Sequence, residues 1–132
     1  MIEPIFLSLD QVLYIQRAEA TLTNSPTLVR DVSGLEASLS APQATFEGQY
    51  LMDLFEMAAT YVAALAIHHP FLDGNKRTAV GSALVFLSIN GFIVVETREE
   101  ELADLVLAYL NKEATKEDLT HYFKERAQPK DS

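Results

Sequence analysis

Nine consecutive residues, His69-Pro70-Phe71-Leu72-Asp73-Gly74-Asn75-Lys76-Arg77, gather an imidazole, a carboxylate, a glycine, a carboxamide and two cations. Together these types suit one task, which is to grip a phosphate chain and move a proton beside it. Gly74 allows backbone to approach an anion closely and tolerates a positive φ. Asn75, Lys76 and Arg77 can donate to phosphate oxygens, the arginine through its fork and the lysine as a point charge. Asp73 is one carboxylate beside those oxygens, and Mg²⁺ is commonly held by one or two carboxylates together with phosphates and water. Histidine ordinarily exchanges protons near neutral pH, so His69 is the candidate base toward an attacking hydroxyl. Phe71 would anchor the loop in the core. The plainer alternative is a capped helix turn with solvated charges. Against it, Lys76 and Arg77 fall in a first helical turn, where the dipole disfavours cations, and such a conflict suggests an anion there.

The elements that must hold this loop are two apolar stretches. Residues 53–68, DLFEMAATYVAALAIH, are apolar on nearly every side, as are residues 75–90 beyond their first turn. A helix apolar all round belongs at the centre of a domain. Gly81, Ser82 and Ala83 are small enough to let another helix approach, and Gly91 suits the position just past a helix end. Ser8-Leu9-Asp10-Gln11 forms a capping box that opens a helix fading near Thr21. Residues 22–32 read as loop. Ser33-Gly34-Leu35-Glu36 forms another capping box, opening a short helix that should stop before Pro42. Residues 43–50, around Thr45, Phe46, Glu47, Gly48, Gln49 and Tyr50, lack helical periodicity and read as a bent extended strip, a hairpin or a connecting loop. Phe92–Glu96 reads as a short strand. Residues 99–111 place Leu102, Leu105, Val106 and Tyr109 on one helical face. Glu99, Glu100 and Glu101 read as a solvated first turn, and Thr115 to Asp118 as a third capping box. Residues 127–132 should fray. The expected fold is a single all-α domain over 1–132 with two central buried helices. His68 reads as a helix-end residue and His121 as a surface one.

Composition narrows the function classes. The 132 residues are 48% hydrophobic and 22% charged, with mean hydropathy +0.06, which suits one folded domain rather than disorder. The 10 Lys and Arg against 19 Asp and Glu give net charge −9, which argues against nucleic acid and anionic membranes as partners. The absence of cysteine removes thiol catalysis, disulfides and the usual structural zinc site. No signal peptide or membrane span is evident, so a cytoplasmic location is the expectation. Oligomeric state is not readable.

The run HPFLDGNKR resembles the Fic/Doc signature, H-x-F-x-(D/E)-(G/A)-N-(G/K)-R, and the flanking DLFEMAATYVAALA, TAVGSALVFLSINGF and SGLEASLSAPQ look like helices of the family's Doc (death-on-curing) toxin branch. The resemblance covers about residues 8–126. It implies His69 as catalytic base, Asp73 as the metal-binding acid, Gly74 and Asn75 as the anion-holding turn and Arg77 as the phosphate-binding arginine. Lys76 stands where nucleotidyl-transferring members usually have glycine, and Val80 where many carry a second arginine. Both departures point to ATP bound in reverse, offering its γ-phosphate. The resemblance therefore implies a kinase that uses ATP and Mg²⁺ on a threonine of a translation factor, elongation factor Tu, and that is neutralised by a small antitoxin. A nucleotidyl (AMP) transferase and a silent binding module are the alternatives. Residues 43–50, with Phe46, Glu47, Gly48 and Gln49, would be a target-binding flap. Gln16-Arg17 replaces the His-Asp frequent in Doc-like chains, and Gly81 replaces an asparagine.

Overall fold

The computed structural model describes residues 3–20 and 29–130. Six α-helices form within them: α1 (Leu9–Ala20), α2 (Val32–Ser40), α3 (Leu54–His68), α4 (Asn75–Ile89), α5 (Glu101–Leu110) and α6 (Lys116–Arg126). Two short antiparallel ribbons accompany them, β1 (Thr45–Phe46) with β2 (Gln49–Tyr50), and β3 (Phe92–Val94) with β4 (Ala127–Pro129). The all-α expectation holds, and no described helix is long and apolar enough to cross a membrane.

The centre is the α3–α4 pair. In α3, Met57 to Ala63, Leu65 and Ala66 are buried, and in α4 Thr78, Ala79, Ser82, Ala83, Phe86 and Leu87. The Tyr61 and Phe86 rings meet at 5.0 Å between centroids. The Tyr61 hydroxyl accepts from the Leu7 N–H at 3.1 Å, tying the segment before α1 into the core. Burying each such large side chain contributes about 1.5–3 kcal/mol, which explains why these two helices organise the rest. The small residues of α4 do admit another helix. A Cβ on Gly81 would lie 2.9 Å from Ile15 Cγ2 of α1.

Helix starts follow their caps. Ser8 and Gln11 bond reciprocally, as do Asp53 with Glu56 and Thr115 with Asp118. The second capping box is a correction. Asp31, not Ser33, caps α2, because its carboxylate accepts from the Gly34 N–H at 2.9 Å and so draws the helix start back to Val32. Ala41, before Pro42, also keeps a right-handed helical conformation and opens a single 3-10 turn, Ala41–Gln43. The expected end of α1 at Thr21 lies outside the described residues.

The frayed tail is corrected over residues 127–130, while 131 and 132 lie outside the described residues. Ala127, Gln128 and Pro129 pair with Val94, Ile93 and Phe92. The Lys130 N–H donates to the Gly91 carbonyl at 2.9 Å, and its ammonium to the Ser88 carbonyl and hydroxyl, each at 3.1 Å. Backbone pairing holds this polar segment, so its composition gave no warning. Glu101 likewise departs from a solvated turn. Its side chain is only 14% exposed and accepts from Arg126 Nε at 2.9 Å.

Candidate active site

The signature run begins where α3 stops. His69 caps α3 in a left-handed conformation, φ 47° and ψ 55°, which an L-residue with a Cβ adopts at a cost. The next residues are held from outside the run. Arg30 Nη2 donates to the His69 carbonyl at 2.6 Å. The Pro70 carbonyl accepts from the Arg30 N–H at 2.7 Å and the Asp31 N–H at 3.1 Å. Val29 pairs with Phe71 in an isolated antiparallel bridge. Phe71 is fully buried and anchors the loop as expected.

Asn75 closes the loop from the other side. Its carboxamide accepts from the Phe71 N–H at 2.9 Å and donates to the Phe71 carbonyl at 2.8 Å. The side chain expected to donate to phosphate is thus engaged in shaping the turn. Gly74 then enters α4 at φ 78° and, as a glycine in the N-cap position, gives that helix start no side-chain cap of its own. Its positive φ is what the sequence asked of a glycine here; space is not the reason, since the nearest atom to an added Cβ is Thr78 Oγ1 at 3.9 Å. A helix start presents backbone N–H groups lacking intrahelical partners, which favours an anion.

Around that start, His69, Asp73, Lys76 and Arg77 are exposed, and Gly74 and Asn75 are partly buried. The run therefore offers an imidazole, a carboxylate and two cations exposed around a helix start. Its neighbour His68 is used differently. The Ser38 hydroxyl lies 2.8 Å from the Gly34 carbonyl and 3.0 Å from His68 Nδ1, with hydrogen-bond contact to both. Gly34 leaves room here for both neighbours, because a Cβ there would lie 2.5 Å from Asp31 Oδ2 and 3.3 Å from His68 Cβ. His121 pairs with Glu125 on the surface, 2.7 Å apart.

The expected flap residues stand elsewhere. Residues 45–50 do form a hairpin, turning through Glu47 and Gly48 at φ 51° and 81°. The Tyr50 ring packs on Phe6 at 5.4 Å, and Phe6 stacks on Phe86 in the last turns of α4 at 6.1 Å. That places the hairpin at the opposite end of the α3–α4 pair, separated from His69 by the length of α3, 15 residues and about 22 Å. The structure does not bring Phe46, Glu47, Gly48 and Gln49 together with the loop. The segment beside the loop is instead Val29, Arg30 and Asp31, which sequence reasoning passed over as loop. Gln16 was also missed as a contact. It is fully buried and donates from Nε2 to the Asp73 carbonyl at 3.2 Å. No periodicity signals either contact, because each joins segments 39 to 57 residues apart.

Comparison with known proteins agrees with the run. The sequence model described as the Fic/DOC family matches residues 6–87. The chain is 46% identical over 77 residues to the Protein kinase doc of Escherichia phage P1, covering 58% of this chain and 60% of that relative. It is 45% identical over 64 residues to the Toxin Doc of Mycolicibacterium smegmatis, covering 48% of this chain and 49% of that one. The matched region thus spans 49–60% of the length of these curated relatives.

Proposed function

Because this chain belongs to the Fic/DOC family and is similar to its Doc members, we propose that it is a toxin of a toxin–antitoxin pair that transfers the γ-phosphate of ATP to a protein hydroxyl. The observation that carries the reading is the α4 start behind a left-handed Gly74 N-cap, with His69, Asp73, Lys76 and Arg77 exposed around it. The target class is a translation factor, with a threonine of elongation factor Tu as the specific candidate.

The donor set fits Mg²⁺ held with a nucleotide. Among the described residues no group of three or more His, Cys, Asp or Glu could cage a metal by itself. Asp73 supplies one carboxylate, and phosphates and water would complete the shell. Mg²⁺ bound there would neutralise charge on the phosphates. The amides of the α4 start, Lys76 and Arg77 hold phosphate oxygens and offset the charge that spreads as the bond to phosphorus breaks. His69 accepts the proton of the target hydroxyl as its oxygen bonds to the γ-phosphorus, and ADP leaves with the electron pair of the broken bond. Val29 to Asp31, whose backbone already lies against Pro70 and Phe71, is better placed than the 45–50 hairpin to guide an extended target past His69.

The test is incubation with ATP labelled separately at the α and γ positions, a cell extract, and mass measurement of the modified protein. Gamma label on a translation factor, lost in His69→Ala and Asp73→Ala variants that still fold, is the expected result. Alpha label on the target would replace the kinase with a nucleotidyl transferase. The neutralising partner should carry basic residues and an apolar helix face, given the net charge of −9; affinity purification of the tagged chain from its native cells, with mass measurement of small co-purifying proteins, tests it.

A further inference from the structure

Three oxygens on the inner faces of α1 and α4, Gln16 Oε1, Thr78 Oγ1 and Ser82 Oγ, are buried without a hydrogen-bond partner. Gln16, Thr78 and Ser82 are each fully buried. Thr78 and Ser82 are one helical turn apart on α4, and Gly81, between them in sequence, is in tight contact with Ile15, the neighbour of Gln16. A seam this close would normally be closed by hydrocarbon, since each unpaired buried oxygen loses its hydration without compensation. Packing alone therefore does not account for a carboxamide at position 16. Its other half does have a partner. Nε2 reaches out of the seam to the backbone carbonyl of Asp73, at 3.2 Å and 57 residues away in sequence.

We infer that Gln16 is a positioning residue for the signature loop, holding the Asp73 carbonyl so that the Asp73 carboxylate and the Gly74 turn keep their orientation toward the nucleotide. The argument rests on the reading of this loop as a Mg²⁺–ATP site. Asn75 fixes Phe71 and Arg30 fixes His69, and Gln16 adds a hold on the backbone between them and the glycine. The residue that looked like a departure from the Doc pattern thereby acquires a role.

The test compares the full-length chain with Gln16→Met, which keeps the length of the side chain and removes both the donor and the orphaned oxygen, and with Gln16→His, which can restore an N–H donor. Amide hydrogen exchange without nucleotide tests the hold alone. Exchange at residues 72–77 should quicken at least fivefold in Gln16→Met while the thermal midpoint stays level or rises, a pairing that mere loss of packing would not produce. Binding of Mn²⁺–ATP, followed by the Mn²⁺ spin signal, should weaken about three- to tenfold in Gln16→Met, with recovery in Gln16→His, while metal-free ATP binding changes less. Unchanged loop exchange in Gln16→Met overturns the inference whatever the nucleotide result. Faster exchange combined with no Mn²⁺–ATP binding by the unsubstituted chain would keep the hold and overturn the functional reading instead.

Discussion

Replacing Asn75 with alanine separates a residue that builds the loop from one that only touches a ligand. Two hydrogen bonds disappear, from the Phe71 N–H at 2.9 Å and to the Phe71 carbonyl at 2.8 Å. Each contributes about 0.5–1.5 kcal/mol net. Phe71 is fully buried while Asn75 is partly buried, so water can reach the abandoned groups only in part and some desolvation cost is added. The sum is a loss of about 2–3 kcal/mol, which lowers the thermal midpoint of a domain this size by roughly 10 °C. Asn75→Asp should fall between, because a carboxylate still accepts from the Phe71 N–H but offers nothing to its carbonyl. Urea unfolding without nucleotide, at constant m-value, measures both. A loss below about 0.5 kcal/mol for Asn75→Ala would refute the structural account and return the side chain to the phosphate.

His69→Gly should raise stability by about 0.5–1 kcal/mol, since glycine adopts the left-handed cap freely, while removing phosphate transfer; urea unfolding and the label assay read the two effects. Gly81→Ala should lower stability by about 1–2 kcal/mol, because overpacking against Ile15 Cγ2 at 2.9 Å outweighs the gain in helix propensity; Ile15→Leu, which moves the branch, should recover part of it in a double-mutant cycle. Arg126, and after it Thr97, hold the Glu101 carboxyl at about 2 against an ordinary 4.5, so this ion pair contributes fully above pH 4.5 and is lost as pH falls toward 2. Glu101→Gln should therefore flatten the acid limb of the stability profile over that window, which denaturation at stepped pH checks.

Much of the site is local, and that part was legible. The loop, its apolar anchor Phe71, the left-handed glycine and the central helices all follow from residue type and short spacing. Two of the three capping boxes, at Ser8 and Thr115, follow too, but α2 starts on the carboxylate of Asp31, which takes the Gly34 N–H and so displaces the Ser33 box, and the box at Asp53 was not read. What sequence could not reveal is how distant segments meet. Arg30 on His69, Gln16 on Asp73 and Ala127–Pro129 on β3 are set by tertiary packing. The 45–50 hairpin shows the complementary failure, since its local turn chemistry was readable and its address was not.

One helix end collects both flanks of the chain. Asn90 exchanges two hydrogen bonds with the backbone of Ile5, and Lys130 closes onto Gly91 and Ser88. The signature turn opens at the other end of the same helix, which is 15 residues long. Mechanical closure and chemistry thus occupy opposite poles, with about 22 Å between them. A fluorophore or affinity handle attached beside Ile5 or Lys130 would sit remote from the nucleotide turn, whereas a tether pulling on those two points would unzip the ribbon long before it disturbed the imidazole.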